Sequence, residues 1–515
     1  MPDTPAWVRD AVFYQVFPDR FASSERVAKP GPLEPWDSPP TNHGFKGGDL
    51  LGIVEHLDHI AAIGANALYL NPVFQSASNH RYHTYDYLTV DPLLGGDAAL
   101  RELLDQAHAR GIRVVLDGVL NHTGRGFWPF HHVLETGSGS PYRNWFHFDK
   151  EGLSDGRPVN AYPAGRMPAG VDSESEATSA RARLGYEAWW GIPALPKLNV
   201  AEPAVREYLW GVAEHWLRFG IDGWRLDVPA EIDDPPFWSE FRRRCRAVNP
   251  EAYLVGEIWH VAPEWVAGDR FDALMNYPLA KAILGFVGGR SLNEALLQTH
   301  NEYREVTHLD GPAFAERLSA IVAAYAPETT AVQLNLLGSH DTPRVLSVLG
   351  GDREALELAV LLQATLPGAP CIYYGDEVGV MGGIDPDSRR AFPWDTAHWD
   401  GELLGSVQSM IALRHAEPAL RADAVTVTDA AGAALAFARS GAGSGAADGG
   451  RGGRLGIALN AGDSPARLGL GEGAAAASTL LSVGRARSIA PVLHGMDGTV
   501  AIELAPRSGA VVRLG

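Results

Sequence analysis

Gly220-Ile-Asp-Gly-Trp-Arg-Leu-Asp227 is the stretch whose reading decides the fold. Upstream of it, residues 205–219 carry apolar side chains at helical spacing, and Gly220 stops that helix. A short apolar run then ends in charge. A helix, a glycine and a strand tipped with an acid make one unit of a helix-wrapped parallel barrel. Side chains two apart on a strand point the same way, so Arg225 and Asp227 should emerge together at the strand's C-terminal end, where such barrels keep their chemistry. An arginine there is expected to hold the acid ionised, as a nucleophilic carboxylate must be. Taken alone, Arg-x-Asp would also fit a surface ion pair. The surrounding chain decides between the two.

The same alternation continues on both sides. Residues 12–17 read as a first strand, 50–63 as a helix ended by Gly64, and 67–70 as a second strand closed by Asn71-Pro72. Residues 98–110 are a helix, and 112–120 a third strand, nearly all apolar as a strand covered on both faces should be. Downstream of Asp227, strands five to eight fall at 253–258, 271–275, 332–337 and 371–374, with a helix at 354–366. The expected fold class is therefore α/β, a (β/α)8 TIM barrel formed by residues 1–122 and 201–418. Between strands three and four the rhythm breaks. Residues 123–200 are rich in Gly, Pro, aromatics and charge, too long for a structureless loop, and predict an inserted subdomain. Residues 419–515 change to short alternating runs of Ala, Gly, Val and Leu and predict a C-terminal antiparallel β-sandwich domain, with the low-complexity run 441–453 as a flexible loop inside it.

A chain of 515 residues exceeds one compact core, in keeping with that division. Its 43 Lys and Arg against 62 Asp and Glu give a formal charge of -19, which argues against nucleic acid and anionic membranes as partners. Fourteen tryptophans and fifteen tyrosines offer aromatic faces of the kind sugar rings stack on, although most such residues belong to cores. Cys245 and Cys371 stand too far apart in sequence for metal-ligand spacing and are expected to be reduced and structural. No signal peptide is legible, and no stretch approaches the ~20 apolar residues that span a bilayer. A cytoplasmic location is the expectation.

Several strand tips carry functional side chains: Asn121-His122 after strand three, Asp227 after four, Glu257 after five and His340-Asp341 after seven. Folded into a barrel, they converge on one rim. Three carboxylates with two histidines and an arginine suit glycosidic cleavage, in which one acid attacks the anomeric carbon and a second protonates the leaving oxygen. A metal site is the rival reading, opposed by an arginine among the ligands and by the lack of Asp-x-Asp or His-x-His spacing.

These motifs, LDGVLNH (116–122), GWRLDVPAEI (223–232), VGEIWH (255–260), LLGSHD (336–341) and LPKLN (195–199), resemble those of the α-amylase family, glycoside hydrolase family 13, in order and over nearly the whole chain. The resemblance implies Asp227 as nucleophile, Glu257 as general acid/base and Asp341 as transition-state stabiliser. It also implies that Arg225, His122 and His340 hold the sugar at the cleavage point, and that Tyr82 of NHRYHTYDY stacks on it. VFYQVFPDRFA and GGDLLGIVEHLDHI look like the neopullulanase, cyclomaltodextrinase and maltogenic amylase branch, whose members cut small cyclic or linear α-glucans. From that branch, Glu231 is expected to bind substrate on the acceptor side; Trp259, by its place two residues after Glu257, is expected beside the leaving group. Asp117 is expected to support Arg225, while Trp189-Trp190 fit either the cleft wall or packing.

Departures from the branch sharpen the expectation. Strand one begins almost at once, where the branch usually carries an N-terminal β-module that helps build its dimer; a homodimer is left open. The chain is similar in this to smaller enzymes acting on cyclic maltosyl-maltose, a ring of four glucoses with α-1,6 links. The family's calcium loop after PDRF reads Ala22-Ser-Ser-Glu-Arg26, which supplies few ligands beside Gly47, Asp49 and Asn121, so no metal or other cofactor is expected to be required. Val228-Pro-Ala-Glu231 replaces the branch's Val-Ala-Asn-Glu. The expected activity is retaining hydrolysis of α-glucosidic bonds in small α-glucans. A transglycosylase or trehalose synthase-like mutase with the same triad is the alternative, and a non-catalytic ancillary relative the remote one.

Overall fold

The computed structural model describes residues 3–163, 182–441, 453–472, 477–485, 492–494 and 498–514. Eight parallel strands form one sheet in the barrel order six-five-four-three-two-one-eight-seven: Phe13–Val16, Ala67–Leu70, Arg113–Gly118, Gly223–Leu226, Tyr253–Gly256, Ala273–Leu274, Leu334–Leu336 and Ala369–Tyr373, named one to eight along the chain. A parallel bridge from Met275 to Leu334 closes strand six onto strand seven. Seven of the eight strands are buried at every position, and the third is exposed only at Arg113, which is why they read as unbroken apolar runs.

Gly220 ends the helix Pro203–Phe219 in the left-handed conformation at φ 114°, its N–H reaching the Trp216 and Leu217 carbonyls. Gly223 opens strand four where a Cβ would come within 2.2 Å of the Tyr253 carbonyl oxygen, so the strand can lie against its neighbour only with glycine there. The helix expected over 50–63 is two pieces, Leu50–Glu55 and Leu57–Ile63. The break has a local cause: the His56 ring Nδ1 bonds the Gly52 carbonyl at 2.8 Å, taking the acceptor that the His56 backbone N–H would otherwise use, and the ring packs on Trp394 at 3.7 Å. Strand six is shorter than expected, two residues in place of five.

Between strand three and the helix Pro203–Phe219 the chain leaves the barrel. The helix Trp128–Thr136, a short helix Lys150–Ser154 and isolated antiparallel bridges (His122 to Lys197, Phe146 to Leu198, Phe148 to Tyr186, Ala188 to Pro196) fold this segment over the rim. Its aromatic core, with Phe130 stacked on Phe148 at 5.6 Å, explains a stretch rich in rings without strand or helix periodicity.

The C-terminal region holds two antiparallel sheets, one of five strands and one of three. Leu468, Leu470, Val500 and Ile502 of the smaller sheet pack against Ala436, Ala458 and Val512 of the larger. The run 441–453, expected as a flexible loop, lies outside the described residues except at its two ends. Cys245 and Cys371 are free, buried thiols, each with its pKa raised by burial.

Candidate active site

The acids meet on the rim as the strand order requires. Asp227 follows strand four, its N–H bonded to the Gly118 carbonyl at 3.1 Å, and Glu257 follows strand five, its N–H bonded to Leu226 at 3.0 Å. Arg225, fully buried, joins them. Its Nη1 donates to Asp117 at 2.8 and 2.9 Å and to Asp227 Oδ1 at 3.1 Å, and its Nη2 stands 2.8 Å from Glu257 Oε2 as an ion pair. One guanidinium cannot touch two carboxylates that stand far apart, so Asp227 and Glu257 are close neighbours. Asp117 supports Arg225 from strand three, as expected. Asp227 Oδ2, the other oxygen, is buried without a partner among the described residues.

The turn after Asp227 is strained. Val228 sits at φ 36°, ψ 52°, a left-handed conformation that a β-branched residue rarely adopts, and this aims its N–H at Glu257 Oε2, 3.0 Å away. Glu257 Oε1 accepts from the Trp259 indole at 3.1 Å, and that indole lies on Tyr277 at 3.6 Å. Among the described residues, three of the four non-glycine residues with positive φ, namely Arg81, Trp190 and Val228, directly adjoin expected site residues or the candidate pair Trp189-Trp190.

Tyr82, His340 and Asp341 form a second group joined to the first. Gln15 donates to His340 Nδ1 at 3.0 Å, which assigns the ring proton to Nε2. That nitrogen lies 2.5 Å from the Tyr82 hydroxyl and 3.0 Å from Asp341 Oδ2. The Tyr82 hydroxyl in turn donates to Asp117 at 2.9 Å and accepts from Asn71 at 3.1 Å. Arg389, from the loop after strand eight, reaches Asp341 Oδ1 at 3.3 Å and bonds the His340 carbonyl at 2.9 Å. Sequence reading did not single out Gln15, Asn71 or Arg389 as site residues. Gln15 had a signal, a polar residue inside an apolar strand; Arg389 had none, since it lies in an irregular loop.

His122 is fully buried and stacks on Trp189 at 4.9 Å. Glu231 does not join the acids. It is 38% exposed and pairs with Lys197 at 3.4 Å, at the edge of the inserted segment.

Burial governs the charges. It pushes the Asp227 carboxyl well above the ordinary range; Arg225 opposes the shift, while the charges of Glu257, Asp117 and Asp341 add to it. Arg225 thus acts on Asp227 in the expected sense, favouring the ionised form, but its guanidinium is shared among three carboxylates and works against burial. Burial and the Glu257 charge raise Asp341 to about 6. Burial lowers His122 to about 3 and His340 well below its usual value, so both rings are neutral at pH 7. The cluster is thus built to retain a proton near neutrality while its histidines hydrogen-bond without charge.

The calcium loop implied by the family resemblance does not fit a metal. Asp49, fully buried, accepts from Gly52 N–H at 2.7 Å and Ser24 N–H at 2.9 Å, and the Lys29 ammonium lies 2.9 Å from both Asp49 Oδ2 and the Leu93 carbonyl. A divalent ion beside Asp49 would have to displace that ammonium.

Residues 15–403 match the family described as alpha amylase, catalytic domain. The chain belongs to the α-amylase family. It is 42% identical over 419 residues, 81% of its length, to a cyclomaltodextrinase of Geobacillus thermopakistaniensis, and spans 64% of that relative. Among solved structures, a debranching enzyme of Nostoc punctiforme is 44% identical with a TM-score of 0.85, each chain covered completely. A cyclic α-maltosyl-(1→6)-maltose hydrolase of Arthrobacter globiformis is 36% identical with a TM-score of 0.80, over 99% of both chains. The expected family and branch are borne out.

Proposed function

We propose that this protein is a retaining hydrolase of α-glucosidic bonds in small cyclic or linear α-glucans, including cyclomaltodextrins and the ring with α-1,6 links. The observation that carries this reading is the pair of carboxylates on one buried guanidinium, with Asp227 Oδ2 free. That oxygen would attack the anomeric carbon while Glu257 delivers its proton to the leaving glycosidic oxygen, giving a glycosyl ester on Asp227. Glu257, now ionised, would take a proton from water, and that water's oxygen would attack the same carbon and free the Asp227 carboxylate. Asp341, with the neutral His122 and His340, would hold the ring hydroxyls, and its charge would favour the cationic transition state. Tyr82 and Trp259 would border the ring and the leaving group.

The reading requires no metal, since Lys29 supplies the cation beside Asp49. The segment folded over the rim supports a small substrate, because a walled cleft admits a ring or short chain more readily than a long polymer. No helix among the described residues is long and apolar enough to cross a membrane. The test is kcat/KM on a cyclomaltodextrin, maltotriose, the α-1,6-linked cyclic tetrasaccharide and soluble starch. Small substrates should lead. Starch exceeding all of them would overturn the small-substrate reading, and no cleavage of any would overturn the activity.

A further inference from the structure

We propose that Trp190 is a stacking platform for a glucose unit flanking the one being cleaved, a proposal that rests on the α-glucan reading above. The tryptophan lies on the turn Trp189–Gly191, at the tip of a loop in the inserted segment. Antiparallel bridges from Ala188 to Pro196 and from His122 to Lys197 fix the base of that loop, so its tip is held over the end of strand three.

Rings lead outward from the site in two steps. His122 lies flat on Trp189 at 4.9 Å and 6°, and Trp189 lies on Trp190 at 4.9 Å and 24°. The two tryptophans, which sequence alone left between packing and cleft wall, thus divide the roles. Trp189 packs on His122, while Trp190 covers Trp189 and remains 50% exposed.

Packing does not explain Trp190. Its backbone is left-handed at φ 50°, ψ 27°, a conformation in which the Cβ crowds the following carbonyl oxygen. Its stack on Trp189 offsets that cost, yet half of the side chain's surface is left in water. Strain retained in this way marks a position selected for what it presents. What Trp190 presents is a broad, uncharged aromatic face, complementary to the apolar C–H face of a pyranose. Beside it, the Trp189 indole N–H is buried with no acceptor among the described residues, a polar group that packing leaves unsatisfied.

The test compares two substrates. α-Glucosyl fluoride carries only the sugar being cleaved, whereas maltotriose carries flanking units. Trp190→Ala should lower kcat/KM on maltotriose about tenfold, mainly through KM, and leave α-glucosyl fluoride unchanged. Trp190→Phe, which keeps an aromatic face, should recover most of the loss. Trp190→Gly should lose as much as alanine on maltotriose without melting lower, because glycine relieves the backbone strain. Wild-type kcat/KM for Trp190→Ala on maltotriose would overturn the proposal, and so would equal losses on both substrates, which would make Trp190 a prop for His122. If wild-type protein cleaves neither substrate, the α-glucan activity itself has failed. Calorimetric titration of maltotriose into wild-type and Trp190→Ala protein then decides: about tenfold weaker binding by the variant supports the platform, and equal or undetectable binding overturns it.

Discussion

At the barrel rim, Arg225 is buried among carboxylates; at the seam between the barrel and the C-terminal sheet, Arg414 and Arg439 are buried among carbonyls. Arg414 donates to Ala364, Gly368 and Leu420 at 3.0, 2.6 and 2.9 Å, and Arg439 to Thr365, Leu420 and Ala422. Several of these carbonyls belong to the end of the helix Arg353–Thr365 or follow it closely, where backbone oxygens lack partners within the helix and the dipole favours a cation. Burial lowers both guanidinium pKa values to about 9, with the charges of Asp10 and Asp423 opposing it only in part, so both stay charged at neutral pH. Burial pulls on Arg225 too, yet the charges of Asp117 and Glu257 outweigh it and hold its pKa well above the usual value. The seam uses cations as fixed fasteners for backbone. The rim uses one to hold acids close enough to exchange a proton, at a cost in stability that only function explains.

Substitutions can break this contrast. Asp227→Asn should lower kcat on maltotriose by about 10⁴-fold or more while the melting temperature stays level or rises, since a buried carboxylate is removed. Arg439→Met should do the reverse. Denaturant unfolding should show a loss of roughly 2–4 kcal/mol, because buried carbonyls lose their donor, with kcat/KM of the folded protein unchanged. Asp117→Asn tests the shared guanidinium. A displaced Arg225 should cost about 10²-fold in kcat, and wild-type turnover would show that Asp117 does not position it.

The smallest effect is in the pH dependence of Asp341. Its proton is held more tightly folded than unfolded, since its folded pKa is raised to about 6. The charged form therefore opposes folding, by nothing below the ordinary carboxylate pKa, increasingly between there and about 6, and by a constant amount above. Asp341→Asn should melt a few degrees above wild type near pH 8, and the gain should vanish toward pH 4. Wild-type activity, which needs this group ionised, should fall as the pH drops through about 6.

The sequence made the strand-borne part of this site legible and left the rest obscure for a physical reason. Strand periodicity and a terminal acid place Arg225, Asp227 and Glu257 without knowledge of any contact, because each is fixed by its own strand. The partners that tie the rim together come from elsewhere. Gln15 and Asn71 act across strands, and Arg389 arrives from an irregular loop; a polar residue inside an apolar strand marks Gln15 as unusual, but nothing local in sequence names its partner or announces Arg389. The break at His56 was invisible for the same reason, since a side chain competing for a carbonyl leaves the apolar spacing intact. The inserted segment could be recognised as an insertion, but its internal order depends on aromatic packing that has no period.

The most direct test of the account is the anomeric configuration of the first product, followed by NMR as an α-glucan such as maltotriose is cleaved. Attack by Asp227 followed by water at the same carbon inverts twice, so the new reducing end should appear as the α-anomer before mutarotation. An initial β-anomer would mean that water attacks directly, and would contradict the role assigned to the carboxylate pair on Arg225.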